Sequence, residues 1–520
     1  MEHVLTAGPV VPPPSGRPPD HNLVPRDVEA LADELVAYHA HFAPLFQRSE
    51  QRKWALAYLH GQLLELDRKS IEPMALALEG GDVQAMQQFI SDGPWDDERV
   101  LERHQQLVAE TLGDAETGVL VLDGCDFPKQ GTYSVGVARQ WCGAQGKVAN
   151  CQASVVAAYA SKQGYTLVDR RLYLHQSWFT PEYRSRWERC GIPDEVSFRT
   201  RPELAADIVR TLATRKVLPF RWVTCDEAFG NNPVFLDAIA ALKLYYCAEV
   251  PHDTRVWRER PPTAVPPRGK RGRAPTRERL TADAPAPVRV DVLAAQLPPA
   301  QWQRWQIKEG AKGPMVAEFA FVRVVAVREE MPGPESWLVL RRSLGETPEL
   351  KTYLCNAPVT TRQRKLVGAS GMGWPVESAI EESKGEVGLD QYEVRGWLGW
   401  HHHTTLSFLA HHFLVRQRCR MGKKISSANG AASAGSAAGG TAAIHYRTLS
   451  DDVHIGWMKR DRNGETLVQQ MLQEREPELE ETQIAAIRTM NDRQPVVAVR
   501  QHAQVDHPQV GQASGQQQTH

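Results

Sequence analysis

Two short apolar runs, each ending in an aspartate, constrain the fold of this sequence more than any other feature. The first is TGVLVLDG at residues 117–124, and the second is FRWVTCDE at residues 220–227. A short apolar run that ends in an acid is typical of a buried strand whose last residue emerges at the sheet edge. Asp123 and Asp226 are therefore predicted to lie at strand ends. A carboxylate in such a place is costly unless it is paired, hydrogen-bonded or bound to a cation.

A helix further along the chain could add a third carboxylate to these two. WPVESAIEESKGEVG predicts a helix over residues 374–388, on which Glu377, Glu381 and Lys384 share one face. If the two strands are neighbours, repulsion between their carboxylates favours a divalent metal, and a third oxygen ligand suits Mg²⁺. By spacing alone this signal is weak, because a set of Glu and Lys residues on one helix face is usually solvent-exposed and without a catalytic role.

The remaining pattern predicts a mixed α/β fold with an added β-rich region. PELAADIVRTLATR and WLGWHHHTTLSFLAHHFLV predict further helices. Further predicted strands are VANCQASVVAAYA, YTLVDRRLYL, LYYCAEV, MVAEFAFVRVVAVR and SWLVLRRS.

Residues 26–110 show helical spacing of apolar residues, with basic residues between the stripes. These basic residues are Arg48, Arg52, Lys53, Arg68 and Lys69. They indicate either a small helical DNA-binding module or a helical bundle with a solvated basic face, and without further context the second interpretation is favoured.

Basic residues are concentrated in one other stretch, from Arg255 to Arg279. It holds nine Arg or Lys residues against two Glu, with five prolines and two glycines. Such a composition predicts an exposed loop whose charge suits a phosphate backbone, although a solvated linker has the same composition.

Composition limits the classes of protein to consider. The 520-residue chain has a formal net charge of -1, which excludes coating of nucleic acid by bulk charge. The eight cysteines include no C-x-x-C pair, so neither a zinc ribbon nor a disulfide scaffold is indicated. The N-terminal segment lacks the features of a signal peptide, and no run of eighteen apolar residues occurs, so we expect a soluble cytoplasmic protein.

Several sequence blocks together resemble a known family. DGCDFPKQGTYSVGVARQWCGAQGKVANCQ is similar to the first-aspartate block of bacterial insertion-sequence transposases of the DDE superfamily. The resemblance continues in family order through LVDRRLYL, FRTRPELA, WVTCDEAFG and WPVESAIEESKGEVGLDQYEVRGWLGWHHHTTLSFLA, and so covers roughly residues 26–415. Relatives more often have Lys where Arg201 stands, and Ser370, Gly373 and His402 also depart from related groups.

The resemblance implies an RNase-H-like catalytic domain with three acidic catalytic residues and two Mg²⁺ ions, for which Mn²⁺ can substitute. Asp123 and Asp226 match the two aspartates, and Glu377 matches the glutamate. All three are expected to bind the metal. Lys384 follows Glu377 at the E-x6-K spacing of relatives, in which the lysine contacts DNA.

The expected activity is cleavage and strand transfer at double-stranded DNA, namely the terminal inverted repeats of an element and its target. The implied assembly is a homodimer or a larger synaptic complex. The residues expected to hold DNA phosphates are Lys384, Lys129, Arg139, Arg268, Lys270, Arg271 and Arg273.

The predicted organisation has five parts. They are a disordered Pro-rich arm (1–25), a helical and DNA-binding domain (26–115), an RNase-H-like domain (116–251 and 366–420), a basic loop with a β-rich insertion (252–365), and a low-complexity tail (421–520) with a helix between about 464 and 492.

Competing sites and functions remain open at this level. Asp126 competes with Asp123, and Glu227 competes with Asp226, although strand alternation disfavours Glu227. His401, His402, His403, His411 and His412 could suggest zinc, but consecutive helical residues point about 100° apart and cannot all face one ion. The rival functions are an inactive transposase-derived DNA-binding protein or repressor and a general RNase-H-like nuclease.

Overall fold

A computed structural model describes residues 25–267, 275–310, 313–345 and 347–433. All of these residues belong to one compact unit of the chain, Met1–Ile455. Several predictions lie outside the described residues: the Pro-rich arm before Pro25, the tail from residue 434 with its helix near 464–492, and the roles of Arg268, Lys270, Arg271 and Arg273. The first residues of the predicted tail, 421–433, are described and belong to a helix.

The described residues form a mixed α/β structure. Its α-helices are α1 (Pro25–Ala40), α2 (Ser49–Leu63), α3 (Ile71–Leu76), α4 (Val83–Ser91), α5 (Asp97–Leu112), α6 (Arg184–Cys190), α7 (Arg201–Arg215), α8 (Glu227–Gly230), α9 (Pro233–Ala241), α10 (Val290–Ala295), α11 (Gln363–Ser370), α12 (Trp374–Val387) and α13 (Trp397–Ser433). Its strands are β1 (Val119–Pro128), β2 (Ala138–Cys142), β3 (Lys147–Ser161), β4 (Gly164–Tyr173), β5 (Trp222–Cys225), β6 (Tyr245–Glu249), β7 (Arg255–Trp257), β8 (Thr263–Ala264), β9 (Arg279–Leu280), β10 (Val288–Arg289), β11 (Gln303–Gly310), β12 (Gly313–Arg328), β13 (Met331–Ser343) and β14 (Leu350–Cys355).

One large sheet organises the described residues. Its main path runs β10-β7-β12-β13-β14-β6-β5-β1-β3-β2, while β4 pairs with β3 and β11 pairs with β12. Strand β5 is parallel to both β1 and β6, whereas β3 is antiparallel to β1 and β4 is antiparallel to β3. The strands that carry Asp123 and Asp226 are therefore neighbours, which meets the condition for their carboxylates to come together.

The β-rich segment predicted as an insertion joins this sheet. Strand β14 pairs antiparallel with β6, so β12, β13 and β14 extend the sheet beyond its parallel strands. The basic stretch is also not a loop throughout. Its first residues form β7, in which Val256 and Trp257 are buried, because their side chains pack into the apolar core while Arg255 remains exposed.

Helices cover both faces of the sheet. One apolar cluster joins Val121 and Phe127 of β1 to Val376 of α12 and Leu409 of α13. The opposite cluster joins Leu122 of β1 to the helices α7 and α9. Because side chains alternate along a strand, odd-numbered residues of β1 face α12 and even-numbered residues face α7.

The N-terminal helices belong to the same core as α12 and α13. Tyr58 of α2 and Phe89 of α4 are buried in the cluster that contains Leu409. Lys69, one of the basic residues noted in the sequence, is buried and donates to the backbone carbonyl of Gln62 at 2.9 Å. Lys69 is therefore part of the helical bundle and not of a basic surface. Arg48, Arg52 and Lys53, in contrast, are exposed.

Helix α12, which carries the predicted glutamate, has a well-defined end. Gly388 follows it with a φ of 70°, a left-handed conformation that favours glycine at a helix C-terminus. A Cβ atom at Gly388 would lie 2.6 Å from Cβ of Lys69, so this position also lets the chain pass close to the N-terminal region. Within the described residues, no helix is both long enough and apolar enough to span a bilayer.

Candidate active site

A cavity of about 240 Å³ lies where β1, β5 and β6 meet α12. Asp123, Asp226 and Glu377 all contribute to its lining, so the structure brings the three predicted carboxylates to one place. Glu249 also lines it and was missed by the sequence analysis.

Strand register explains why three of these carboxylates meet. Leu122 of β1 pairs with Cys225 of β5, and Cys225 in turn pairs with Ala248 of β6. The residue that follows each of these three is acidic, namely Asp123, Asp226 and Glu249. Because the three strands are parallel and in register, the carboxylates form one row where the parallel pairing ends.

The row lies where the strand pairing changes. Strand β1 does not end at Asp123 as predicted but continues to Pro128, paired with β3. Its pairing with β5 stops at Leu122, because β5 ends at Cys225 and the chain turns into α8. The carboxylate of Asp226 caps α8 by accepting the backbone N–H of Ala228 at 3.1 Å.

Burial and the close approach of neighbouring acids disfavour the ionised forms of Asp123 and Asp226. Burial, followed by the charges of Asp226 and then Glu377, raises the pKa of Asp123 to about 7. The pKa of Asp226 is also raised, first by loss of hydration to the surrounding protein and further by the charge of Glu249. A bound cation would relieve this repulsion, so the electrostatics favour a cation at the site.

The acids that competed with the predicted ones lie elsewhere. Asp126 is three residues after Asp123 and so faces the α7 side of β1, where Arg201 lies 3.4 Å from its carboxylate. It also accepts the backbone N–H of Gly143 at 2.7 Å, which indicates a structural role. Neither Glu227 nor Glu381 is among the residues that line the cavity.

The predicted phosphate-binding residues differ in their exposure and in the hydrogen bonds that they already make. Arg139 is exposed on β2. Lys384 donates to the backbone carbonyl of Asp126 at 3.1 Å, and Lys129 donates to that of Tyr392 at 3.3 Å. Burial lowers the pKa of Lys129 to about 8. Arg139 is therefore the most accessible of these three for a DNA phosphate.

The histidines of α13 do not converge on a common point. His402 is stacked against Trp95 at 3.7 Å between ring centroids, with its ring nitrogens 2.9 Å and 3.1 Å from the carbonyls of Ile90 and Trp95. His403 contacts the hydroxyl of Tyr58 at 2.8 Å. Each ring instead has its own partners in the helical core, as expected from the angular spacing of helical residues.

Whether a metal fits can be judged from the donors of the cavity. No set of three or more His, Cys, Asp or Glu side chains in the described ranges is already arranged as a metal site. Four carboxylates nevertheless line the cavity, beside the thiols of Cys225 and Cys247, and a cluster of carboxylate oxygens matches a hard divalent cation such as Mg²⁺.

The sequence contained a signal for Glu249 that the analysis overlooked. LYYCAEV is a third short apolar run that includes an acid near its end, the pattern that identified Asp123 and Asp226. Two basic residues of the cavity, Arg341 on β13 and Lys351 on β14, were also missed. Their strands are far from the parallel strands in sequence, and only the pairing of β14 with β6 brings them to the site.

Comparisons with known proteins give three similarities. A family model described as DDE superfamily endonuclease matches residues 41–314. A probable transposase for insertion sequence element IS701 from Microchaete diplosiphon is 26% identical over 198 residues, which are 38% of this chain and 48% of that protein. The chain thus spans about half the length of this curated relative. The NurA nuclease structure from Sulfolobus solfataricus is 10% identical, covering 55% of this chain and 86% of that chain, but its TM-score is only 0.24.

Proposed function

This chain belongs to the DDE superfamily endonuclease family, and from that premise we propose that it is a DNA transposase. It would bind the terminal inverted repeats of an insertion sequence and catalyse metal-dependent DNA cleavage and strand transfer. The observation that carries this proposal is the meeting of Asp123, Asp226 and Glu377 at one cavity.

The strand order supports an RNase-H-like catalytic domain. Five strands follow the order β4-β3-β1-β5-β6, in which β3 is antiparallel to β1 and β4 to β3, while β5 and β6 are parallel to β1 and to each other. We assign residues 116–251 and 366–420 to this domain. Residues 252–365 would then be an insertion that extends the domain's own sheet, and residues 26–115 a helical part with a DNA-binding role.

The acidic residues would hold the metal. Asp123, Asp226 and Glu377 would bind Mg²⁺ or Mn²⁺, which supplies charge neutralisation and Lewis-acid assistance at the phosphodiester. The chain itself holds the ligands in place. The carboxylate of Asp226 is fixed by the α8 cap, and that of Asp123 accepts the backbone N–H of Gly124 at 2.6 Å.

The proposed reaction has two stages. Water attacks a phosphodiester at the element end, which breaks the bond to the 3′ oxygen and frees a 3′-hydroxyl. That hydroxyl then attacks a phosphodiester of the target: a bond forms between the 3′ oxygen of the element and the target phosphorus, the bond from this phosphorus to the target 3′ oxygen breaks, and the target strand is left with a free 3′-hydroxyl. Neither stage needs a covalent link between protein and DNA. Two copies of the chain or more would hold both ends together.

Incubation of the purified chain with labelled terminal-repeat DNA tests this function. We expect nicking or cleavage with Mg²⁺ or Mn²⁺ and none with EDTA, whereas Ca²⁺ should support binding with little cleavage because of its looser coordination. Cleavage that persists in EDTA would contradict the metal-dependent reaction. Metal-insensitive binding without any cleavage would favour a transposase-derived repressor, and cleavage without preference for element ends would favour a general nuclease.

A further inference from the structure

The wall of the cavity next to β6 is built by the β-rich segment and carries two cations. Arg341 on β13 and Lys351 on β14 are cross-strand partners, and both line the cavity that contains the carboxylates. Tyr353 of β14 lies on the same wall and pairs with Glu249 of β6. The added strands therefore contribute directly to the site.

These two cations differ in how their charge is balanced. The ammonium of Lys351 lies 3.1 Å from the carboxylate of Glu249, so this pair is close to neutral. Arg341 has no carboxylate within ion-pairing distance among the described residues, and its guanidinium lies 5.7 Å from the centre of the Tyr353 ring. Arg341 thus presents an uncompensated, half-buried charge to the cavity.

The other basic residues of these strands show that Arg341 is an exception. Arg323 pairs with Glu335, Arg328 with Asp237, and Arg342 with Glu318. Along β12, β13 and β14, as far as the structure describes them, every Arg or Lys except Arg341 has an acidic partner. A partly buried charge without a counter-ion loses hydration and gains no compensating pair, which favours an anionic ligand as its partner.

We propose that Arg341, with Lys351 beside it, binds a backbone phosphate of the DNA strand that enters the cavity. This phosphate would be a near neighbour of the one that is cut at Asp123, Asp226 and Glu377. The inference rests on the proposed function and deepens it, because it assigns a phosphate subsite to the β-rich segment. A guanidinium suits this role because its planar fork can donate two hydrogen bonds to one phosphate.

Electrostatics explain why the site needs such a residue. A phosphodiester that approaches four carboxylates is repelled by them, and bound metal offsets only part of that repulsion. A fixed cation on the wall next to β6 would attract the adjacent phosphate and hold the strand in a set position relative to the carboxylates. Arg341 would therefore be a substrate-positioning residue, whereas Glu249 would keep Lys351 in place beside it.

Arg341→Gln tests the proposal, and Arg342→Gln is its matched control. The two arginines are adjacent in sequence and project to opposite faces of β13, and Arg342 is already paired with Glu318 at 2.8 Å. We expect Arg341→Gln to lower kcat/KM for cleavage of terminal-repeat DNA by about ten- to a hundredfold, the usual loss for one charge-assisted contact. Arg342→Gln should stay within about threefold, and Arg341→Lys should be intermediate.

Duplexes with a single methylphosphonate identify the phosphate. Each backbone position around the cleavage site is neutralised in turn, and the losses are measured for the wild type and for Arg341→Gln. At one position we expect the methylphosphonate to lower the activity of the wild type but not to lower that of Arg341→Gln further, because this variant already lacks the contact with that phosphate. Additive losses at every position, or equal rates for Arg341→Gln and Arg342→Gln, would overturn the proposal.

A binding measurement separates this inference from the proposed function. In Ca²⁺, fluorescence anisotropy with the same duplexes should show a salt slope that is smaller by about 0.9 for Arg341→Gln than for the wild type. An unchanged slope overturns the subsite. If the wild type never cleaves DNA but Arg341→Gln still has the smaller slope, the subsite would be retained and the transposase reaction contradicted. Thermal unfolding of each variant confirms that it is folded.

Discussion

The carboxylate cavity and the histidine-rich stretch of α13 both concentrate titratable side chains, but the two regions differ in the groups that surround these side chains. In the cavity, Asp123, Asp226 and Glu249 form a row of acids, and burial, followed by the charges of neighbouring acids, raises the pKa of the first two. Along α13, His402 and His403 are buried and meet hydroxyl or carbonyl partners of the N-terminal helices and nearby chain.

This difference indicates which cluster does chemistry. A buried polar group with good partners stabilises the fold and leaves little capacity for a ligand. A charged group that the fold holds close to groups of like charge has an unfavourable electrostatic energy. Such arrangements are typical of functional sites. This criterion supports a structural role for the histidines and the proposed metal-binding role for the acids.

The strongest test of this comparison removes the acids one at a time. Asp123→Asn, Asp226→Asn and Glu377→Gln should each lower the cleavage rate by about a thousandfold or more, because a lost metal ligand removes several kcal/mol of transition-state stabilisation. DNA affinity in a gel-shift assay should change by less than about threefold, since the carboxylates do not bind phosphate.

The competing acids provide the controls for this test. Asp126→Asn and Glu381→Gln should retain cleavage, because neither residue lines the cavity. Asp126→Asn weakens the contact with Arg201 and so should lower the unfolding free energy slightly, by about 1 kcal/mol. If Asp126→Asn abolished cleavage and Asp123→Asn did not, the assignment of the first acid would be wrong.

The second test concerns two buried histidines of the helical core, His104 of α5 and His403 of α13. Burial lowers the pKa of His104 and of His403 to about 4. The unfolded chain, with pKa values near 6.5, therefore binds protons more readily between pH 4 and 6.5, so stability is present above pH 6.5 and is lost as the pH falls. From pH 7 to pH 5 we expect a loss of about 2 kcal/mol for each histidine, measured by urea unfolding.

Two variants separate this effect from general acid sensitivity. His104→Gln can still donate to the carbonyl of Leu167, which His104 contacts at 2.9 Å, but it cannot titrate. It should therefore reduce the dependence of stability on pH. His252→Gln changes an exposed histidine outside the helical core and should leave that dependence unaltered. If His104→Gln had no effect on the slope, other groups would account for the acid sensitivity.

Much of the fold could be predicted because its signals are local. The apolar runs predicted β1, β3, β4, β5 and β6, and helical spacing predicted α7, α12 and α13. What could not be predicted was long-range pairing. The contact of β14 with β6 makes the β-rich segment part of the main sheet, and pairing between strands about a hundred residues apart leaves no pattern in either strand.

The candidate site shows the same division. Asp123 and Asp226 were found because each follows an apolar run, and Glu377 because its block resembles a known family. Glu249 follows an equivalent run and was overlooked. Arg341 could not have been found, because what distinguishes it from Arg342 is the lack of an acidic partner, and partners are a property of the folded chain.

The last test extends the comparison to the basic stretch, which remains a prediction from the sequence. Arg268, Lys270, Arg271 and Arg273 lie outside the described residues, within a segment that has a local excess of +7 in a chain of net charge -1. If these residues contact phosphates, replacing all four with Ala should flatten the dependence of log affinity on log salt by about three to four. The affinity for every DNA sequence should fall by a similar factor, because phosphate contacts carry no base information. Gel shifts at several salt concentrations, with terminal-repeat and unrelated duplexes, measure both effects. An unchanged slope would indicate that this segment is a solvated linker. The contacts with DNA phosphates would then be made by the cavity wall and by Arg139.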